Sequence, residues 1–148
     1  MIIVAGFFVS CTETETSTTA SLEVPAEENL GEEQGEEHDH ETVPLGSFTA
    51  GDMEITAEQG HGLLQAGKES HLVIKLPYND NGATSVRAWI GTSDRTLSSV
   101  GKGEYAPSHD DYDIHAMAPA TLPEGVMWWV EIEKPDGSKL VGSISPKM

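Results

Sequence analysis

The sequence predicts an all-β fold for residues 46–148, an antiparallel sandwich of two sheets and six to seven strands. Three observations carry this reading. Apolar and polar residues alternate with period two in nearly every patterned stretch, as half-buried strands require. Gly-, Asn-, Asp- and Pro-containing turns separate those stretches at short intervals. Every stretch with a helical option is interrupted by Gly or Pro. Several short strands spaced this way in about 100 residues fit a two-sheet sandwich with one core.

The strands follow in order. In Asp52–Glu58, Met53, Ile55 and Ala57 alternate with Asp52, Glu54, Thr56 and Glu58. In Ser70–Leu76, Leu72, Ile74 and Leu76 share one face, and His71, Val73 and Lys75 share the other. Val86, Ala88 and Ile90 oppose Ser85, Arg87 and Trp89. Tyr112, Ile114, Ala116 and Ala118 face away from Asp113, His115 and Met117. Val126, Trp128, Val130 and Ile132 oppose Met127, Trp129, Glu131 and Glu133, and in the last strand Leu140 and Ile144 share a face through Gly142. Asn79-Asp80-Asn81-Gly82 and Pro135-Asp136-Gly137-Ser138 supply the hairpin turns. Residues 92–110 lack a clear pattern and hold either a long loop or one more strand near Val100–Tyr105.

The N-terminal third has a different chemistry. From Thr12 to Leu45 there are eleven acidic residues, no Lys or Arg, and no aromatic residue. Such a segment buries too little apolar surface to offset its chain entropy, so it is expected to be a disordered tether extended by charge repulsion. The whole chain carries 25 acidic and 8 basic residues, net −17, which leaves 14 acidic and 8 basic residues for 46–148. No basic stripe is present to hold phosphates, which argues against nucleic acid as a partner.

Ahead of the tether, the apolar run Ile2–Val9 ends in Ser10 and Cys11, the only cysteine. The run is far short of the ~20 residues that span a bilayer and matches the ~7–15 of a signal h-region. An apolar run, a small residue, a cysteine and a polar tether resemble the end of a bacterial lipoprotein signal peptide. That resemblance implies lipidation of Cys11 and cleavage before it. It divides the chain into a signal-peptide remnant (1–10), a lipidated acidic tether (11–45) and a sandwich domain (46–148). It also implies a lipid-anchored protein of the cell envelope facing the periplasm or exterior, with the outer membrane favoured because Thr12 follows the cysteine. No Lys or Arg precedes the run, so the biological start is expected upstream of Met1.

The sandwich itself resembles the small immunoglobulin-like extracytoplasmic modules of the YtkA/FixH type. The residues that carry this likeness are Gly67, the strand His71–Leu76, the Val86-Arg87-Ala88-Trp89-Ile90 strand, the Tyr112-led strand, Gly125, the Trp128–Ile132 strand and Asp136-Gly137. The resemblance implies a membrane-tethered accessory role in metal handling or assembly, without catalysis.

Chemistry on the domain concentrates in His109–Met117. As one continuous strand this would align His109, Asp111, Asp113, His115 and Met117 on a single face. Neighbours on that face lie about 7 Å apart, so one ion needs help from another strand. His71, or His61 in the Gly60-His61-Gly62 loop, is the candidate to complete a copper or zinc site with Asp113 and His115. The plain alternative is a solvated sheet face. His38 and His40, set among carboxylates at the end of the tether, form a second candidate, with a solvated charge run as its alternative. Oxygen-rich Asn79–Asn81 could attract Ca²⁺ but lacks EF-hand spacing and is read as a turn. Trp89 and Trp129 have outward parity and are the candidate surface for a protein partner or a glycan; the plain alternative is that strand ends or loops cover them. Gly-x-Ser-x-Gly and His-Glu-x-x-His motifs are absent from the sequence, and the expected role is binding in place of catalysis.

Overall fold

Alternation along the chain accounts for most of the architecture in the computed structural model, which describes residues 41–148. The expectations for Cys11, for His38 and His40, and for the tether up to residue 40 lie outside the described residues. Nine strands and, among the described residues, no helix make up the domain. They are β1 (Thr42–Ala50), β2 (Met53–Gly60), β3 (Glu69–Lys75), β4 (Ser85–Gly91), β5 (Val100–Lys102), β6 (Glu104–Ala106), β7 (Asp111–Met117), β8 (Met127–Glu133) and β9 (Lys139–Ile144). Two antiparallel sheets result, ordered β1-β2-β3-β7-β6 and β5-β4-β8-β9. Setting β1 aside, this is the A-B-E-D against C′-C-F-G order of an immunoglobulin-like sandwich.

The residues selected by parity are the ones inside. Ile55 and Ala57 on β2, Leu72 and Ile74 on β3, Val86, Ala88 and Ile90 on β4, Ile114 on β7, and Trp128, Val130 and Ile132 on β8 are all fully buried. Each large side chain removed from water in this way contributes about 1.5–3 kcal/mol. The turns behave as their chemistry requires. In the β8–β9 hairpin, Gly137 N–H donates to the Lys134 carbonyl at 2.8 Å and Ser138 N–H donates to Asp136 Oδ1 at 2.8 Å.

Nine strands exceed the six or seven expected, for identifiable reasons. Strand β1 begins at Thr42, ahead of the expected domain boundary at Gly46. Pro44 cannot donate to a ladder and Gly46 sits at a bulge with φ +105°, yet an edge strand accommodates both. Phe48 and Ala50 then anchor its second half in the core. The unpatterned stretch 92–110 holds two three-residue strands, not one. The chain pairs with β4 through β5, crosses at Gly103, and pairs with β7 in the other sheet through β6. Gly103 N–H donates to the Val86 carbonyl at 2.8 Å at the crossing.

The β3–β4 turn is tied to β7 by one carboxylate. Asp80 Oδ2 accepts the Thr84 N–H at 2.7 Å, and Oδ1 accepts the Gly82 N–H at 3.1 Å and the Tyr112 hydroxyl at 3.0 Å. These oxygens serve the turn itself. Burial alone would raise the Asp80 carboxyl. Hydrogen bonds from Thr84, Tyr112 and Gly82 outweigh that and hold it below its ordinary 3.8. A depressed folded-state value stabilises the fold above the unfolded value, and that stabilisation is lost as pH falls through the folded one. Asp80→Asn is therefore expected to cost about 1 kcal/mol at neutral pH. The gap in melting temperature from the parent should narrow as pH drops below 3.8. A gap independent of pH across the acid limb would show that the charge on Asp80 is not used.

Candidate metal centre

Three adjacent strands bring histidines to one place. His71 on β3 and His115 on β7 both have outward parity, and the register makes them direct cross-strand partners. On the other side of β3, His71 is opposite Gly60, the last residue of β2, so His61 is the first residue past that pairing. The ring centroids form a triangle: His71–His115 4.6 Å, His61–His71 5.4 Å and His61–His115 5.6 Å. Two imidazoles on one tetrahedral zinc have centroids about 5 Å apart, given Zn–N bonds of about 2.0–2.1 Å and the radius of the ring. The tilted His61–His115 pair is therefore of the right size for a shared ion.

The three rings are not equivalent. His71 is 1 % exposed and stacks within 5° of parallel on His115. Its Nε2 lies 2.9 Å from Asp113 Oδ1. Its Nδ1 edge packs on Gly60, where an added Cβ would come within 2.5 Å of that nitrogen. Burial lowers the His71 pKa from 6.5; Asp113 opposes the shift, while the charges of His115 and His61 add to it. Burial therefore favours the neutral ring. His71 and Asp113, both expected as ligands, thus form a floor and its brace beneath the exposed ring of His115, because β3 is covered on both sides and His71 has given Nε2 to Asp113.

Among the described residues, the ligand-capable set is His61, Glu69 and His115. One donor atom from each can be chosen so that all lie within 4.8 Å of one another, and all three side chains are exposed. His115 Nδ1 and Glu69 Oε1 are 3.4 Å apart. Two imidazoles and one carboxylate with a free side toward solvent match the donor types of open three-ligand zinc sites. Glu69 was not anticipated. The available signal was its i−2 spacing from His71, which places it on the same strand face, but only the β3–β7 register brings it to His115.

His61 is held in place from below. It has φ 60°, an uncommon conformation for a non-glycine residue, and such strain persists where surroundings over-determine it. Those surroundings centre on fully buried Gln59. Its Nε2 donates to the Gly62 carbonyl at 2.7 Å and the Lys147 carbonyl at 3.1 Å. Its Oε1 accepts Trp128 Nε1–H at 3.3 Å and Lys147 N–H at 3.2 Å. Beside the site, Glu41, Val43, His61 and Gly62 line a shallow depression of about 390 Å³.

Other expected site residues fall elsewhere. His109 is in an exposed turn before β7, since the strand starts only at Asp111 after Asp110 turns with φ 56°. Its carbonyl accepts from Lys75 Nζ at 3.0 Å, and its ring lies outside the triangle. Trp89 is not a surface residue: it is 2 % exposed. It stacks on half-buried Trp129 at 6.3 Å, and its Nε1 donates to the Thr92 carbonyl at 2.9 Å, so the β4–β5 connection covers the outward face there. Arg95 of the same connection reaches back to Glu131 at 2.9 Å.

No protein-family model, no curated protein and no solved structure matches this chain.

Proposed function

We propose that this protein is a membrane-anchored lipoprotein of the cell envelope whose β-sandwich reversibly binds a transition-metal ion, zinc or copper, and carries it without catalysing a reaction. The single observation that supports the metal reading is the meeting of His61, Glu69 and His115 donor atoms within 4.8 Å at an exposed sheet rim. Imidazole and carboxylate suit Zn(II) and Cu(II). Exposure of all three ligands leaves the ion within reach of a partner, as delivery requires. The anchor reading rests on the sequence around Cys11 and the acidic stretch after it. A lipid on Cys11 would fix the chain to a bilayer, and the stretch would hold the domain away from it. Loss of membrane partitioning in Cys11→Ser cells is the expected result.

The metal reading is tested by calorimetric titration with Zn²⁺ and Cu²⁺. Saturable binding with a dissociation constant of about 1 μM or tighter is expected, near −8 kcal/mol. A His61→Ala/His115→Ala variant should lose that binding, and His109→Ala should keep it. Equal binding by the parent and the double variant would move the site off the domain, with His38 and His40 next to be substituted.

A further inference from the structure

The outward face of β7 does not end at His115. Two residues on, Met117 has the same parity and is 45 % exposed. The register makes it the direct cross-strand partner of Glu69. Glu69 in turn leans diagonally across the sheet to His115, with 3.4 Å between Oε1 and Nδ1. Directly opposed residues in an antiparallel pair have Cβ atoms about 4.5–5.5 Å apart, within reach of a long, unbranched thioether. A hard oxygen donor and a soft sulfur donor therefore stand opposite each other across the β3–β7 ladder, with Met117 two residues along the same strand face from His115. Met117 lies outside the hydrophobic core: the buried residues on β7 are Tyr112, Ile114 and Ala116, on the other face.

We propose that the site takes two kinds of ion with overlapping ligand sets: Zn(II) or Cu(II) on His61, Glu69 and His115, and Cu(I) on His61, His115 and Met117. The proposal rests on the metal-binding reading given above. Soft thioethers select Cu(I), carboxylates suit harder divalent ions, and imidazole serves both. Exchange of Glu69 for Met117 needs side-chain rotation only, since both are exposed and project from paired positions. The ion is bound in the oxidation state in which it arrives.

The test uses the full-length chain carrying Cys11→Ser, which removes its only thiol. Cu(I) affinity is measured by competition with bicinchoninate and Zn(II) affinity by competition with a chromophoric chelator. Loss of a ligand costs at least what loss of a supporting partner does, about 10–100-fold. Met117→Leu is expected to weaken Cu(I) by that factor and leave Zn(II) unchanged. Glu69→Gln is expected to weaken Zn(II) by that factor and leave Cu(I) unchanged. X-ray absorption of the Cu(I) form should show a sulfur shell that Met117→Leu removes. If His61→Ala/His115→Ala abolishes Cu(I) binding while Met117→Leu changes neither affinity nor the sulfur shell, the thioether role is overturned and the metal site stands. If the parent binds no ion, or the double variant binds as the parent does, the metal site on the domain fails and this inference fails with it.

Discussion

Trp128→Ala is expected to bring the domain close to unfolding. Trp128 is the largest of the fully buried side chains, and it sits in β8, which is paired on both sides. Truncating a buried tryptophan costs about 3–5 kcal/mol through lost burial and the cavity left behind. That is a large share of the roughly 5–15 kcal/mol that holds a domain together. The melting temperature should fall on the order of 15–30 °C. A second loss is local. Trp128 Nε1 is one of two donors to Gln59 Oε1, and Gln59 holds the turn in which His61 takes its positive φ. Trp128→Phe separates the two effects. It keeps most of the volume but removes the donor, so it should cost about 1–3 kcal/mol. It should also loosen the 59–62 turn, seen as faster amide exchange at Gly62 and weaker metal binding. Thermal unfolding of both variants checks the prediction, and a Trp128→Ala loss below 1 kcal/mol would show that the core is centred elsewhere.

How far the site could be read from sequence follows from what register does. Parity along one strand is legible: Met53, Ile55 and Ala57 inward, and His71 and His115 outward, follow from spacing alone. Neither the partner strand nor the offset is written in any single run. His71, with outward parity, therefore reads as a candidate ligand or a solvated residue, yet it is 1 % exposed, because the pairings His71–His115 and Gly60–His71 bring two more imidazoles around it. Glu69 becomes a candidate ligand by the same pairing. The error at Trp89 has a related cause. Its outward parity is right, but the unpatterned 92–99 connection folds over that face, and loops carry no periodicity that decides between cover and exposure. The short strands β5 and β6 are each three residues long, below the length at which alternation can be counted. Strand β1 is hidden by Pro44 and Gly46, residues that ordinarily mark a break.

The second large effect is expected from Gly101→Ala. A Cβ at Gly101 would lie 2.1 Å from the carbonyl oxygen of His115, 2.9 Å from its carbonyl carbon and 2.9 Å from Ile114 Cγ2. Two of these three atoms are backbone, so no rotamer change relieves the clash, and one strand must move. The strands are unequally held. β7 is paired on both sides, to β3 over six residue pairs and to β6, whereas β5 is an edge strand joined to β4 by three. The edge strand should yield. Overpacking of this kind costs about 1–3 kcal/mol, and a backbone collision belongs at the upper end. Because Val100 is the cross-strand partner of Trp89, movement of β5 uncovers that ring. Red-shifted, more readily quenched tryptophan emission should accompany the drop in melting temperature. His115 rides on the strand that stays, so zinc affinity should be retained. The opposite pairing of results, native-like emission with metal binding lost, would mean that β7 moves instead and that the metal site is the weaker part of the sandwich at this crossing.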